Sequence, residues 1–191
     1  MGADFQLGVK DEDFPRVSDV IPFSLPADMP VPHPSSIPSK VLTNPALDFK
    51  YANSEGWRRA ELGASNGHSN AAGMLRIMSV LTLDGRANGH QLLSPKTIDL
   101  IFQEQAKGID AVVELPFRFG IGYGLTGKDT AVAWLPEGRV CFWGGTGGSI
   151  VIMDLDRRMT ISYAMNNMSF VGIGSERTKA YIKAIYDALR E

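Results

Sequence analysis

The sequence predicts an α+β fold in which an antiparallel sheet is flanked by helices. Strand-like runs follow one another between residues 116 and 165 with short turns between them. Serine or asparagine stands at three candidate helix N-caps before and after these runs. Consecutive strands followed by a terminal helix are typical of sheets covered by helices. The 191 residues are enough for one domain with a real core.

The first 46 residues are interpreted as a proline-rich arm that wraps around the surface. Eight of the eleven prolines lie between residues 15 and 45, so this stretch is extended and cannot join a central sheet. A flexible linker is the alternative. The arm interpretation is favoured because the stretch carries apolar side chains for burial, namely Val20, Ile21, Phe23, Leu25 and Val31. The chain is therefore divided into the arm, 1–46, and an α+β part, 47–191.

Three helices are predicted from their first residues. Ser69 or Asn70 caps the first, whose apolar face carries Met74, Leu75, Met78 and Leu81. Ser94-Pro95 places serine at the N-cap and proline at the first helical position of the second. Ser175 caps the last, where apolar residues recur at helical spacing.

Four strands are predicted between the second and third of these helices. The first runs from Pro116 to Leu125, with large apolar residues on one face and Gly120, Gly122 and Gly124 on the other, where another layer can pack closely. The second covers Lys128 to Leu135. The third covers Val140 to Met153, and it forms a hairpin with the fourth, Met159 to Met165.

Four glycines in five positions interrupt the third predicted strand, at Gly144, Gly145, Gly147 and Gly148. Glycine in a strand marks a bulge or the close approach of a ligand or another backbone. Two interpretations stay open here. In one, main-chain N–H groups have to lie within reach of a ligand, and in the other, two backbones cross closely with no ligand.

Composition and charge exclude several classes of function. The net charge of −2, without clustered Lys or Arg, argues against nucleic-acid binding. No apolar run is long enough to span a bilayer, and no secretory signal is visible, so cytoplasm is favoured although the compartment is not fixed. The single Cys141 reads as a buried inert thiol, and the three histidines lack metal-ligand spacing. No metal or other cofactor is expected.

Five short motifs in a fixed order resemble the C-terminal part of the serine β-lactamase-related esterases. These are the family VIII carboxylesterases, relatives of class C β-lactamases and penicillin-binding proteins. The resemblance covers roughly residues 45–191. The motifs are Asn66-Gly67-His68-Ser69-Asn70, Leu92-Leu93-Ser94-Pro95, Phe119-Gly120-Ile121-Gly122-Tyr123-Gly124-Leu125, Trp143-Gly144-Gly145-Thr146-Gly147-Gly148-Ser149 and Tyr163-Ala164-Met165-Asn166.

The resemblance implies acyl transfer on an ester or amide by a serine nucleophile of an S-x-x-K motif. Trp143-Gly144-Gly145 is similar to the W-G-G that the esterases carry in place of the β-lactamase K-T-G. The resemblance implies that the Thr146 N–H helps to hold the developing oxyanion. It also implies that Trp143 walls the acyl pocket, the alternative being an ordinary core tryptophan, and that Gly144 and Gly145 bind substrate.

The sequence departs from the family because none of its serines is followed by lysine three positions later. Tyr51-Ala52-Asn53 matches the family's Y-x-N as a string, but it lies after the segment it should precede, so we interpret it as coincidence. Ser149 has no visible base and is interpreted as structural. His68 either lines the cleft or hydrogen-bonds its own turn, and the second is favoured.

Three hypotheses follow. In the first, the chain is the C-terminal portion of a serine hydrolase and supplies the oxyanion strand and acyl-pocket wall to a chain that carries S-x-x-K. In the second, it is a non-catalytic binding or assembly module on the same fold. In the third, ranked last, it uses residues such as Tyr51 or Ser149 for catalysis. Uncovered apolar surface, including the glycine face at residues 120–124, predicts a complementing chain or self-association.

Overall fold

The computed structural model describes residues 2–24, 28, 32–46, 48–170 and 173–189. The strands are β1 (Phe5–Leu7), β2 (Gly67–Ser69), β3 (Arg86–Ala87), β4 (His90–Gln91), β5 (Ala106–Ile109), β6 (Pro116–Phe119), β7 (Gly124–Leu125), β8 (Val140–Gly144), β9 (Ile150–Asp154) and β10 (Met159–Tyr163). The helices are α1 (Ile37–Leu42), α2 (Glu55–Arg59), α3 (Ala71–Thr82), α4 (Pro95–Ile101) and α5 (Glu176–Ala188), with 3-10 helices at Asp11–Arg16 and Phe49–Asn53.

A six-stranded antiparallel sheet in the order β10-β9-β8-β7-β6-β5 organises the molecule. Alternate residues of β8 and β9 point to opposite faces, and each face carries its own core. On one face Phe142 and Ile152 pack with Ile182 of α5. On the other, Cys141 and Met153 join a core that includes residues of α3 and α4. The predicted α+β class, an antiparallel sheet flanked by helices, is confirmed.

The predicted helix starts are confirmed by their caps. The side chains of Asn70, Ser94 and Ser175 each accept a hydrogen bond from the backbone N–H three residues later. On α3, Leu75 is 39% exposed, and Val80 is buried in addition to the predicted Leu81. Within the described residues, none of the helices has both the length and the apolar character to cross a membrane.

The predicted strand from Pro116 to Leu125 is instead the hairpin of β6 and β7. The chain reverses at Gly122, which has a φ of +78°, and Phe119 pairs with Gly124. The alternation of apolar residues and glycines is the same in one long strand and in a hairpin, so the sequence pattern did not reveal the reversal. The glycine face is also less open than expected, because a Cβ at Gly120 would collide with the Ile101 carbonyl oxygen and one at Gly124 would lie 2.6 Å from the Phe142 ring.

The predicted strand from Lys128 to Leu135 is wrong, because this segment folds as successive turns. Thr130 N–H donates to the Gly127 carbonyl at 3.2 Å, and Leu135 N–H donates to the Val132 carbonyl at 2.8 Å. The Thr130 hydroxyl also donates to the Gly127 carbonyl. Threonine can satisfy the backbone locally in this way, and such bonds compete with a strand ladder.

The third predicted strand is in fact two strands, β8 and β9, which pair with each other from Val140↔Asp154 to Gly144↔Ile150. The glycines therefore form the loop of this hairpin, whereas the sequence placed them inside a strand. The predicted hairpin partner is β10, which pairs with β9 and lies at the edge of the sheet.

The arm is anchored at its middle by an aromatic contact. The Phe23 ring lies 4.8 Å from Phe49 and 5.3 Å from Phe170, measured between centroids. Ile21 was expected to be buried, but its side chain is 54% exposed and only its backbone pairs, at Asn167. Leu25 and Val31 lie outside the described residues. The division at residue 46 stays a prediction.

Candidate active site

The candidate site is the glycine loop, residues 144–148, which joins β8 to β9. Two backbone hydrogen bonds close it. Gly145 N–H donates to the Ser149 carbonyl at 2.9 Å, and Gly148 N–H donates to the Gly145 carbonyl at 3.2 Å. The loop is thus a tight, defined turn between β8 and β9, most of whose residues are buried.

One end of the loop, Gly145 and Thr146, is open. A Cβ built on Gly145 would meet no described atom within 4 Å apart from its chain neighbours. Thr146 is exposed, and within the described part of the chain its N–H has no hydrogen-bond acceptor. The open end therefore carries a backbone donor that no described residue uses.

The main chain of Gly144 faces the same open side. Backbone groups of neighbouring strand residues point to opposite sides, and Gly145 donates toward β9, so Gly144 points away from β9. On that side β7 pairs with Cys141 and Phe142 but with no residue beyond them. Within the described residues, the backbone of Gly144, the last residue of β8, is thus a free strand edge two residues before the Thr146 N–H.

Trp143 stands beside this free edge and is 47% exposed. Its ring centroid lies 6.1 Å from that of Phe119 on β6, with the two planes tilted by 51°. Trp143 is thus a member of neither core of the sheet. An aromatic wall next to an unpaired backbone edge can hold an apolar group against the strand.

The other end of the loop, Gly147 and Gly148, is packed. Their φ angles are +101° and +110°, a region that side chains with a Cβ rarely adopt. A Cβ at Gly147 would lie 2.6 Å from Met165 Cε and 2.9 Å from Met168 Cγ. The Gly148 carbonyl accepts a hydrogen bond from the Thr178 hydroxyl of α5 at 3.0 Å. This end is fixed to the protein by close contacts.

Two residues weighed as unorthodox catalytic groups have structural partners or lie exposed. The Ser149 hydroxyl accepts the Met165 N–H at 3.1 Å, which ties the loop to the second residue after β10. Tyr51 is 58% exposed, and Asn53 of the same string uses its side-chain amide on the Val20 backbone. These contacts favour the structural interpretation of Ser149 and the coincidental one of Tyr51-Ala52-Asn53.

Burial shifts the pKa of both Cys141 and His68. Burial raises the pKa of the Cys141 thiol to about 12, so the thiol stays protonated and inert, as predicted. Burial, assisted by the positive charge of Arg58, lowers the pKa of His68. His68 lies in β2 opposite Gln6, and its Nδ1 is buried without a hydrogen-bond partner among the described residues.

A cavity of about 400 Å³ lies apart from the predicted site residues, and charged side chains line it. Its charges pair with each other. Arg118 contacts Glu104 at 2.5 Å, and the other contacts join Lys128 to Glu137 at 3.3 Å and Lys107 to Asp129 at 3.7 Å. The cavity therefore offers no uncompensated charge to a ligand, and the glycine loop remains the better candidate.

Sequence reasoning did not identify the residues that contact the packed end of the loop. Met165 and Met168 fill the space at Gly147, and Ser169 N–H donates to the Gly147 carbonyl at 2.9 Å. These residues lie in the polar connection after β10. Their spacing has no periodic signal, so the sequence alone could not assign them to the loop.

The comparisons with known proteins agree on one family. A family model described as Beta-lactamase matches residues 3–184. Among solved structures, the chain is similar to a novel penicillin-binding protein homolog from Caulobacter crescentus, with 27% identity, a TM-score of 0.79 and coverage of 97% of this chain and 48% of that one. It is also similar to a family VIII carboxylesterase, with 26% identity, a TM-score of 0.81 and coverage of 96% and 47%.

EstA from Arthrobacter nitroguajacolicus Rue61a, at 20% identity and a TM-score of 0.79, shares the fold over 100% of this chain and 51% of its own. The chain thus spans about half the length of these three structures. No curated protein matches the sequence.

Proposed function

This chain belongs to the β-lactamase family of serine hydrolases, and we propose that it supplies the oxyanion strand and acyl-pocket wall of a carboxylesterase. The single observation that carries the proposal is the Thr146 N–H, which has no acceptor among the described residues and lies at the open end of the glycine loop. Backbone donors fixed in place stabilise the charge of a tetrahedral intermediate without reorganising during the reaction.

The chemistry assigns a role to each residue from Trp143 to Thr146. A serine hydroxyl attacks the ester carbonyl carbon, and the carbonyl oxygen becomes the oxyanion that Thr146 N–H holds. The substrate approaches the strand backbone at the unpaired edge of Gly144, next to Gly145, where an added Cβ would meet no described atom within 4 Å apart from its chain neighbours. Trp143 packs against the acyl group. These roles are supported by the exposure and the unpaired backbone described above.

We favour an ester without a fixed acid group as substrate. The residues of the site, Trp143 to Thr146, bring no charge, and the lysine of K-T-G that would anchor a carboxylate is replaced by Trp143. One of the similar solved structures is a family VIII carboxylesterase. A neutral ester fits this uncharged setting better than an anionic β-lactam.

The nucleophile is proposed to come from a segment that carries S-x-x-K, since these 191 residues contain none. An exposed apolar stripe on α5 and its C-cap residue suits a complementing chain or a second copy. Tyr181, Ile185 and Leu189 are 59%, 37% and 54% exposed and recur four residues apart. We expect light scattering of the isolated chain to show self-association, and a stable monomer would count against this part of the proposal.

The test begins with the isolated chain and a fluorophosphonate probe. Intact mass should show no adduct, because no serine is activated. The chain is then mixed with the S-x-x-K half of a family VIII carboxylesterase, and hydrolysis of a chromogenic short-chain ester is measured. Ester hydrolysis that requires both the chain and the S-x-x-K half supports the proposal, whereas robust hydrolysis by the isolated chain would contradict it.

The second candidate is a non-catalytic binding module, which the missing S-x-x-K motif favours. It predicts that the mixed pieces bind an ester analogue near Trp143 but are not labelled by the probe. Labelling of a serine in the mixture, followed by turnover, would decide for the esterase.

A further inference from the structure

We propose that Asn53 is a positioning residue for the glycine loop, acting through the arm and the connecting segment, residues 166–169. The relevance to catalysis rests on the proposed function, because it requires that the loop carries the oxyanion donor. The mechanical link rests on contacts that run without a gap from Asn53 to Gly147.

The first step joins Asn53 to the arm. Its Oδ1 accepts the Val20 N–H and its Nδ2 donates to the Val20 carbonyl, both at 2.8 Å. One side chain thus satisfies both backbone groups of one arm residue. The 3-10 helix that ends at Asn53 also carries Phe49, which packs on Phe23. The arm is held on both sides of Ile21.

The second step joins the arm to the connecting segment. Ile21 N–H donates to the Asn166 carbonyl at 2.7 Å, and Met168 N–H donates to the Ile21 carbonyl at 2.9 Å. The two segments run parallel here. Because both backbone groups of Ile21 are used, a shift of the arm at this residue is transmitted to the segment.

The third step joins the connecting segment to the loop. Ser169 N–H donates to the Gly147 carbonyl at 2.9 Å, and Met168, 8% exposed, fills the space beside Gly147. Arg177 at the start of α5 donates to the Asn167 carbonyl at 2.6 Å. The segment is therefore clamped between the arm and the loop.

The link matters because the open end has no packing of its own. A Cβ at Gly145 would meet no described atom within 4 Å apart from its chain neighbours, and the hydrogen bonds of Gly145 go to Ser149 and Gly148, so the placement of Thr146 depends on residues 147–149. A displacement of a catalytic donor by about 1 Å can cost on the order of 10²-fold in rate. The string Tyr51-Ala52-Asn53 thereby gains a role other than the family motif it matches.

The test measures amide hydrogen exchange by NMR on the full 191-residue chain and its Asn53→Ala variant. Loss of both Val20 bonds should raise exchange of the Met168 and Ser169 amides about tenfold, and that of Gly145 and Gly148 roughly threefold or more. Ile152 in β9 should not change. Thr82→Val is the matched control, since it removes a side-chain hydrogen bond to Thr160 elsewhere on the sheet and should leave the loop amides unchanged.

Two results would overturn the inference. Faster exchange at Met168 and Ser169 without any change at Gly145 and Gly148 would show that the segment does not reach the loop. An equal rise at Ile152 would show general destabilisation. If Asn53→Ala does not fold, Ile21→Pro serves instead, because it removes the donor to Asn166 from a residue whose side chain is 54% exposed.

Kinetics of the chain mixed with an S-x-x-K half separate this inference from the proposed function. Asn53→Ala should lower kcat for a short-chain ester with KM unchanged, since a displaced oxyanion donor affects the transition state. Faster loop exchange with unchanged kcat would leave the positioning role intact and overturn the oxyanion role of Thr146.

Discussion

The two ends of the glycine loop have similar sequences and opposite environments. At the packed end, Gly147 and Gly148 adopt positive φ angles against Met165, Met168 and α5. At the open end, Gly145 has free space beside it, and the neighbouring Thr146 N–H has no acceptor among the described residues. The same residue type therefore serves close packing at one end and access at the other. Electrostatic preorganisation requires a donor that is held in place before the reaction, and here the packed end holds the loop that carries the Thr146 N–H.

Removing the backbone donor should have the largest effect. Thr146→Pro deletes the N–H, and loss of one oxyanion donor typically lowers kcat by about 10²–10³-fold. The folded chain should lose little stability, because that N–H makes no hydrogen bond within the described structure. The measurement is ester turnover by the chain mixed with an S-x-x-K half, together with the urea midpoint of the chain alone.

Thr146→Ala is the control for this substitution. It keeps the N–H and removes only an exposed side chain, so turnover should stay within about threefold of the original, since surface substitutions have small effects. Equal losses in the proline and alanine variants would mean that the side chain, and not the backbone donor, matters.

The packed end is tested by stability. Gly147→Ala adds a Cβ 2.6 Å from Met165 Cε at a φ of +101°, and strain plus overpacking should cost about 2–4 kcal/mol in the free energy of unfolding. Gly145→Ala adds the same atom in open space, so the change should stay within about 0.5 kcal/mol. Denaturant unfolding of both variants measures the difference, and similar midpoints would break the comparison.

The smallest expected effect is the pH dependence of the free energy of unfolding. Neither end of the loop has an ionisable side chain, so the difference between the two ends should not depend on pH. The pKa of His68 is lowered below 6.5 in the folded chain, so the unfolded chain binds this proton more readily. Its contribution to stability is complete above pH 6.5 and falls as the pH drops below that value toward the folded pKa.

His68→Gln should weaken this dependence, whereas the gap in stability between Gly147→Ala and Gly145→Ala should be the same on either side of pH 6.5. Unfolding curves at several pH values measure both. A gap that changes with pH would mean that the loop is coupled to a titrating group.

Local signals explain what the sequence predicted well. The α+β class and the caps at Ser94 and Ser175 depend on short-range chemistry that any fold must satisfy. Strand boundaries failed where the same pattern suits two geometries, as between Pro116 and Leu125, where the reversal depends on the positive φ of Gly122. Alternation along a strand says nothing about where the chain turns.

The candidate site was predictable in position but not in its division into two ends. Trp143-Gly144-Gly145 singled out this stretch of the chain, although the sequence placed it inside a strand, and Trp143 is 47% exposed. The packing of Gly147 comes from Met165 and Met168, and the link to Asn53 passes through Ile21, which is far from both in sequence. Such contacts are tertiary and leave no local pattern.

The most direct test of the account is amide hydrogen exchange at the loop in the unmodified 191-residue chain. We expect Thr146 to exchange at about the unprotected rate, while Gly145, which donates to Ser149, exchanges at least roughly tenfold more slowly. That pattern would establish a free backbone donor on an ordered loop. Equal protection of Thr146 and Gly145 would mean that the Thr146 N–H is already bonded within the fold, which would contradict its role as the oxyanion donor.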